Sequence, residues 1–176
     1  MGQPDTMILV SGATTAFQRS EEILKILGGK LNYLGEKIGS ASAMDLAVLS
    51  YTYGAALGFF HGVRIGEVED FQADSFGAII ADFSATIGEF VKYESAVIQK
   101  GDFSATESPI RISIEAVERI LKTAQESGIN TEFPTFASSI FQQAKNAGYA
   151  DEELAALIKV FRRQAGAKAV TGGKNE

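Results

Sequence analysis

Two short apolar runs and one amphipathic stretch make up the start of the chain, and together they predict a β-α-β unit. Residues 7–10 (Met-Ile-Leu-Val) and 31–34 (Leu-Asn-Tyr-Leu) are the candidate strands. Between them, a helix can begin at Thr14 or Thr15 and end at the glycine pair 28–29. Two strands alone lack the neighbours that would satisfy their edges. We therefore expect this segment to be the tail of a larger sheet.

A long apolar helix is predicted over residues 40–64. Apart from the titratable His61, this stretch has no acidic or basic residue between Asp45 and Arg64, and apolar residues lie all round it. Such a helix should be buried on most sides, and 25 residues make a rod of roughly 37 Å. A chain of 176 residues can barely cover it. We infer that a partner subunit does so.

Small residues recur at every fourth position of the same helix, at Ser50, Gly54, Gly58, Gly62 and Gly66. Each glycine inside a helix costs about 1 kcal/mol relative to alanine. Close approach of another helix is the usual compensation. The alternative is a neutral accident in a chain with 18 glycines, but the regular spacing favours packing. We assign Gly54, Gly58 and Gly62 to a dimer interface.

Four further helices are predicted from periodicity and helix-end residues. The second long helix (70–100) carries an apolar core track made of Phe76, Ile80, Phe83, Ile87, Phe90 and Val97. The next helix runs from Ser113 to Ser127, and the one after it begins at Pro134 and ends before Gly148.

The last predicted helix begins at Asp151, with Glu152 and Glu153 as ordinary solvated acids in its first turn. The fold class is thus mainly α: an N-terminal β-α-β remnant in 1–35, an all-helical domain in 36–165 and a disordered tail in 166–176.

Composition narrows the possible functions. Sixteen basic against 22 acidic side chains give a net charge of −6, which argues against binding to nucleic acid. The chain has no cysteine and one histidine, so thiolate chemistry is excluded and a zinc site is improbable. The longest uncharged run of the central helix, residues 46–60, falls short of the roughly 20 apolar residues of a membrane span. We expect a soluble, cytoplasmic protein with no membrane partner.

Asp45 is the candidate for chemistry, because it is the only ionisable group at the start of an otherwise apolar helix. A buried carboxyl could donate a proton near neutral pH or pair with a cationic ligand. The alternative is an acid that the helix dipole favours, and both interpretations stay open. Tyr53 lies eight residues further on, roughly 12 Å along the axis. It could flank the same small-molecule pocket, although a lone tyrosine is more often part of a core.

The last observation concerns a set of short segments, residues 7–12, 27–29, 33–35, Gly39, 45–49 and 147–157. Together they resemble the domain junction, interdomain helix and last helices of NADPH-dependent imine reductases, which are related to the β-hydroxyacid dehydrogenases. The hydroxyacid dehydrogenases carry a lysine six positions after this glycine, whereas Asp45 stands here, as in the imine reductase branch. The resemblance implies that Asp45 orients or protonates an imine, or pairs with an iminium, and that Tyr53 positions the substrate.

The resemblance also has implications for assembly. Family members carry an N-terminal Rossmann domain that binds NADPH, and this sequence contains no G-x-G-x-x-G loop. The expectation is a C-terminal dimerisation and substrate domain that forms an intertwined, domain-swapped homodimer and takes an imine, or an amine and a ketone. Alone it should bind NADPH weakly or not at all and be inactive. Two alternatives are a non-catalytic helical dimer module and a hydroxyacid dehydrogenase-type domain.

Overall fold

The structure, a computed structural model, describes residues 2–163. Two compact units divide the chain, Met1–Gly58 and Phe59–Glu176. The tail predicted to be disordered, 166–176, lies outside the described residues. The described part is mainly helical with one small parallel sheet, which confirms the predicted fold class at that level.

The first unit opens with the predicted β-α-β arrangement. Strand β1 (Met7–Val10) and strand β2 (Lys30–Tyr33) pair in parallel through the register Met7↔Lys30 to Val10↔Tyr33, and helix α1 (Thr14–Leu27) connects them. A parallel pair needs a crossover connection of this kind. Both strands and the helix fall within one or two residues of their predicted bounds.

Two long helices follow, α2 (Ser40–Val68) and α3 (Ala73–Lys100). The 29 residues of α2 make a rod of about 44 Å, which ends four residues beyond the predicted Arg64. Helix α3 starts three residues later than predicted, because Asp70 turns the chain with a left-handed φ of 61°. Gly101, at φ 75°, caps the C-terminal end of α3.

Residues 2–163 leave both long helices largely uncovered. His61 is the only buried residue of α2, and α3 has none. This agrees with the expectation that one chain can barely cover residues 40–64, and their burial by a partner subunit stays a prediction. Large apolar side chains of both helices are exposed, among them Leu46, Leu49, Tyr51, Tyr53, Leu57, Phe60, Ile79, Phe83 and Phe90.

By length and composition alone, α2 could also cross a membrane. An 18-residue window within it has a mean hydropathy of 1.2, and none of that window is buried. The same test is passed by core helices of soluble proteins, so it is weak evidence for a membrane. The absence of a membrane partner therefore stays a prediction.

The second unit contains a compact core near its C-terminal end. Helices α4 (Ile110–Glu126) and α5 (Glu132–Asn146) pack together, followed by a 3₁₀ turn (Leu154–Leu157) and the short α6 (Ile158–Phe161). The core consists of Ile110, Ile114, Ala144, Ala156 and Val160. These five side chains form one contiguous apolar cluster.

The starts of the C-terminal helices differ from prediction. Helix α4 begins directly after Pro109, three residues before Ser113, since the extended Pro109 is itself the N-cap. Helix α5 begins at Glu132, because the Asn130 side chain accepts the Glu132 N–H at 2.9 Å. Pro134 therefore lies at the third helical position, still within the first turn where its missing N–H costs nothing.

The helix predicted from Asp151 does not form there. Glu152 and Glu153 instead make antiparallel bridges with Ser104 and Pro109. Far from being solvated, Glu153 is fully buried. This segment holds the loop between α3 and α4 against the 3₁₀ turn.

Candidate functional site

Asp45 lines an open pocket of about 460 Å³ within the first unit. One wall is strand β1 and the other is the first two turns of α2. The lining residues are Met7, Ile8, Leu9, Ala41, Ser42, Asp45 and Val48. Asp45 is thus the only ionisable group in the lining of an otherwise apolar and weakly polar pocket.

The carboxylate of Asp45 is exposed to solvent in this pocket. Asp45 lies one turn after Ala41 on the same face of α2, and both residues face the pocket. A carboxylate with free acceptor positions beside apolar walls can pair with a cationic group of a small ligand, or exchange a proton with it. The structure therefore places Asp45 where a ligand can reach it.

A set of side-chain hydrogen bonds holds the start of α2 against the end of β1. The Ser11 hydroxyl donates to the Ile38 carbonyl at 2.7 Å and accepts the Ala41 N–H at 3.1 Å. Glu36 accepts from the N–H and the hydroxyl of Thr14, at 3.3 and 2.9 Å. The Thr14 hydroxyl, followed by the Thr14 N–H, lowers the pKa of Glu36. These bonds connect the turn after β1 to the segment that leads into α2.

The structure does not bring Tyr53 to this pocket. Tyr53 is 66% exposed and is absent from the pocket lining, two turns along α2 from Asp45. Its proposed role toward a substrate stays a prediction.

The glycines of the α2 stripe differ among themselves. A Cβ added at Gly54 would meet no atom within 4 Å, whereas one at Gly62 would lie 2.8 Å from the Phe76 ring. Gly62 therefore has a role inside its own unit, where it lets the aromatic ring of α3 pack onto α2. The assignment of Gly54, Gly58 and Gly62 to a dimer interface stays a prediction.

An apolar groove of about 360 Å³ lies beside this contact in the second unit. Its only polar side chains are Glu69 and Ser75. The remaining lining residues are Gly62, Ile65, Gly66, Phe71, Phe76 and Ile79. A groove with so little polar lining suits apolar packing better than catalysis.

Glu153 is a buried, hydrogen-bonded carboxylate, although the sequence predicted a solvated side chain at this position. It accepts the N–H groups of Thr106, Glu107 and Ser108, each at 2.9 Å, and that of Leu154 at 3.2 Å. Burial alone would raise the pKa of Glu153, but these backbone donors outweigh it and lower the pKa to about 2. With its acceptor positions filled, Glu153 fixes the loop and is not available for chemistry. No local motif could have indicated a contact across 45 to 47 residues.

A second carboxyl lies next to Glu153. Burial, and then the charge of Glu153, raise the pKa of Glu94, although the Ala155 N–H opposes this effect. One carboxyl oxygen of Glu94, Oε2, is buried without a hydrogen-bond partner. Among residues 2–163, no group of three or more His, Asp or Glu side chains could hold a metal ion.

Comparison with known proteins assigns the chain to a family. A family model described as "NADPH-dependent reductive aminase-like, C-terminal domain" matches residues 37–163. The chain belongs to this family. The match begins just before α2 and includes Asp45, Tyr53 and all the later helices. The predicted resemblance to the C-terminal domain of imine reductases is confirmed.

Individual relatives agree with this assignment. The chain is 29% identical to an NADPH-dependent reductive aminase from Aspergillus oryzae, over 92% of this chain and 56% of that protein. A reductive aminase from Aspergillus terreus, solved with NADPH4, cyclohexanone and allyl amine, superposes with a TM-score of 0.82 at 28% identity. That match covers 92% of this chain and 56% of the other.

A weaker relative comes from another enzyme class. L-threonate dehydrogenase from Cupriavidus necator is 26% identical over 88% of this chain and 51% of that protein. The chain spans about half the length of the curated relatives it matches.

Proposed function

We propose that this chain is the substrate domain of an NADPH-dependent reductase that converts an imine or iminium into an amine. The observation that carries the proposal is the position of Asp45, the only ionisable group in the lining of the first-unit pocket. Membership of the reductive aminase-like family supports the reaction class.

Asp45 would hold the substrate nitrogen in this pocket. When a hydride adds to the carbon of a C=N bond, the nitrogen must carry a proton or a positive charge beforehand, or take up a proton. A carboxylate can stabilise the iminium as a counter-ion, and a carboxylic acid can supply the proton. Tyr53 would contribute a hydroxyl that orients the substrate, once the substrate extends along α2.

The hydride itself would come from NADPH, which a separate dinucleotide-binding domain supplies in this proposal. Residues 2–163 do not have the features of a dinucleotide-binding site. Their sheet has two strands, and no phosphate-binding glycine loop occurs among them. We expect the isolated chain to bind NADPH weakly or not at all.

We also propose that the partner covering α2 is a second copy of this chain. Exposed apolar side chains follow both long helices, and a surface of this kind marks an interface. A Cβ at Gly54 would meet no atom of residues 2–163 within 4 Å, which supports packing of a partner helix at Gly54. The Phe76 ring already fills the space at Gly62, so Gly54 and Gly58 would make the closer contacts with the partner helix. A lipid bilayer would be the competing cover for α2, but the catalytic role given to Asp45 near one end of that helix favours a protein partner.

The function is tested by joining the chain to the NADPH-binding portion of the Aspergillus oryzae reductive aminase. With cyclohexanone and allyl amine, the fusion should oxidise NADPH, and Asp45→Asn should lower kcat by about 10²–10⁴-fold. A fusion that melts cooperatively yet turns over neither this pair nor L-threonate would refute both enzyme hypotheses. Turnover of L-threonate alone would support the hydroxyacid dehydrogenase alternative.

The assembly is tested by light scattering of the chain in detergent-free buffer. A mass of twice 18.8 kDa is expected, and Gly58→Leu should split the dimer or unfold it. A monomer that floats with phosphatidylcholine vesicles would instead make the bilayer the cover of α2. A dimer without any amine-forming activity in the fusion would favour the non-catalytic assembly module.

A further inference from the structure

The start of α2 is capped from outside the helix, by a residue that follows β1. The first N–H groups of a helix have no partner within the helix, and a serine oxygen is among the best acceptors for them. In this chain the Ser11 oxygen accepts the Ala41 N–H at 3.1 Å, across 30 residues of sequence. The same hydroxyl donates its proton to the Ile38 carbonyl at 2.7 Å. One side chain thus satisfies an orphan donor of the helix and an acceptor of the segment before it.

Backbone hydrogen bonds on both sides of Ser11 hold this residue near the start of α2. The N–H of Gly12 donates to the Gly35 carbonyl at 3.0 Å, and the Leu34 N–H donates to the Val10 carbonyl at 2.8 Å. Gly12 and Gly35 both adopt left-handed φ values, +139° and +87°, which favour glycine. The turn after β1 and the segment after β2 therefore run side by side up to the first turn of α2.

A direct chain of bonds leads from Ser11 to Asp45. In an α-helix the N–H of residue i donates to the carbonyl of residue i−4, so the Asp45 N–H donates to the Ala41 carbonyl. Ala41 in turn donates its own N–H to Ser11. Ala41 and Asp45 line the same pocket, opposite β1. The Ser11 hydroxyl therefore connects the end of β1 to the turn of α2 that precedes Asp45.

We propose that Ser11 is a positioning residue for Asp45: its hydroxyl fixes the first turn of α2 against the end of β1, and so fixes the carboxylate within the pocket. The inference rests on the proposed function for its catalytic meaning. Its structural part can be tested in the chain itself.

The structural part is tested by amide hydrogen exchange of the chain. Ser11→Ala should speed exchange at Ala41 and Asp45 by about fivefold, as expected for the loss of one helix cap, whereas Ser11→Thr should retain most of the protection. Ser20→Ala removes a hydroxyl on α1 and is the matched control. Unchanged exchange at Ala41 and Asp45 in Ser11→Ala would overturn the proposal.

The catalytic part is tested in the fusion with the NADPH-binding domain, through a double-mutant cycle. Ser11→Ala should lower kcat about tenfold with little change in KM, and Ser11→Thr should restore it. In the Asp45→Asn background, Ser11→Ala should lower kcat no further, because the group that it positions is gone. An equal loss of kcat in both backgrounds would mean that Ser11 acts by general stabilisation, and the proposal would fail. If Asp45→Asn alone leaves kcat unchanged, the proposed function fails, while the exchange result still decides the structural role of Ser11.

Discussion

The two units of the chain differ sharply in what they bury. Among residues 2–58, only Gly28 is buried, whereas the segment from Ile110 to Val160 contains an apolar core of its own. The second unit thus has an internal source of stability in side-chain packing. The first unit has a two-stranded sheet, which is marginal without further cover. We therefore expect the unit that carries Asp45 to be the less stable of the two in the isolated chain.

The largest expected effect is a loss of stability in the second unit, caused by the removal of the Glu153 carboxylate. Glu153→Ala leaves the N–H groups of Thr106, Glu107 and Ser108 without their acceptor, so the free energy of unfolding should fall by about 3–5 kcal/mol. Urea unfolding measures the loss. Glu152→Ala is the matched control, because its ion pair with Lys159 is partly exposed and worth about 1 kcal/mol or less. Equal losses for both variants would contradict the role given to the buried carboxylate.

Alanine substitutions at two glycines of α2, Gly62 and Gly54, should have intermediate and opposite effects on the free energy of unfolding of the monomer. Gly62→Ala puts a Cβ 2.8 Å from the Phe76 ring. The clash should cost about 1–3 kcal/mol and the better helix propensity of alanine should offset about 1 kcal/mol of it, so the free energy of unfolding should fall by up to about 2 kcal/mol. Gly54→Ala meets no atom of residues 2–163, so in the monomer it should raise the free energy of unfolding by up to about 1 kcal/mol. In the proposed dimer, the added methyl group should weaken the contact with the partner helix. Thermal melting and light scattering compare the two variants. A Gly54→Ala variant that loses its dimer would show that the partner helix approaches too closely for even a methyl group.

The smallest expected effect is in the pH dependence of the second unit. Because the folded state raises the pKa of Glu94, this carboxyl should contribute stability below about pH 4.5, which is lost as the pH rises toward the raised value. The lowered pKa of Glu153 acts in the opposite direction, so its contribution is lost as the pH falls from about 4.5 to about 2. Urea midpoints across this range measure both effects.

The Glu94→Gln variant separates the two carboxyls. It should remove the loss of stability above about pH 4.5, which comes from Glu94, and should leave the loss below about pH 4.5, which comes from Glu153, unchanged. If this variant still loses stability as the pH rises above about 4.5, another group is responsible for that loss.

Periodicity predicted the helices and strands well, because local apolar spacing determines them. The strand at 7–10 and the long helix that begins at Ser40 have the expected starts. The start of α4 was misplaced, since Pro109 acts as its N-cap in an extended conformation and the serine at 113 offered a stronger local signal. The last predicted helix failed for another reason. Residues 152 and 153 make contacts with the distant α3–α4 loop, which override their local preference for a helix start.

The candidate site was predictable only in part. Asp45 could be identified from its isolation in an apolar helix, which is a local property of the sequence. The wall of the pocket formed by β1, and the bond from Ser11 to Ala41, join residues about 30 or more positions apart. Such contacts depend on the packing of the unit, and a single sequence gives no signal for them.

The position of Glu153 near the C-terminal end of the second unit affects how a newly made chain can fold. Helices α4 and α5 can form as soon as they are synthesised, but the loop before them gains its acceptor only when residue 153 has been added. Ala156 and Val160, which complete the core, come later still. Any ribosome stalled within α5 would hold a product whose two longest helices are made but whose anchoring segment is not, and we expect such a product to be captured by chaperones.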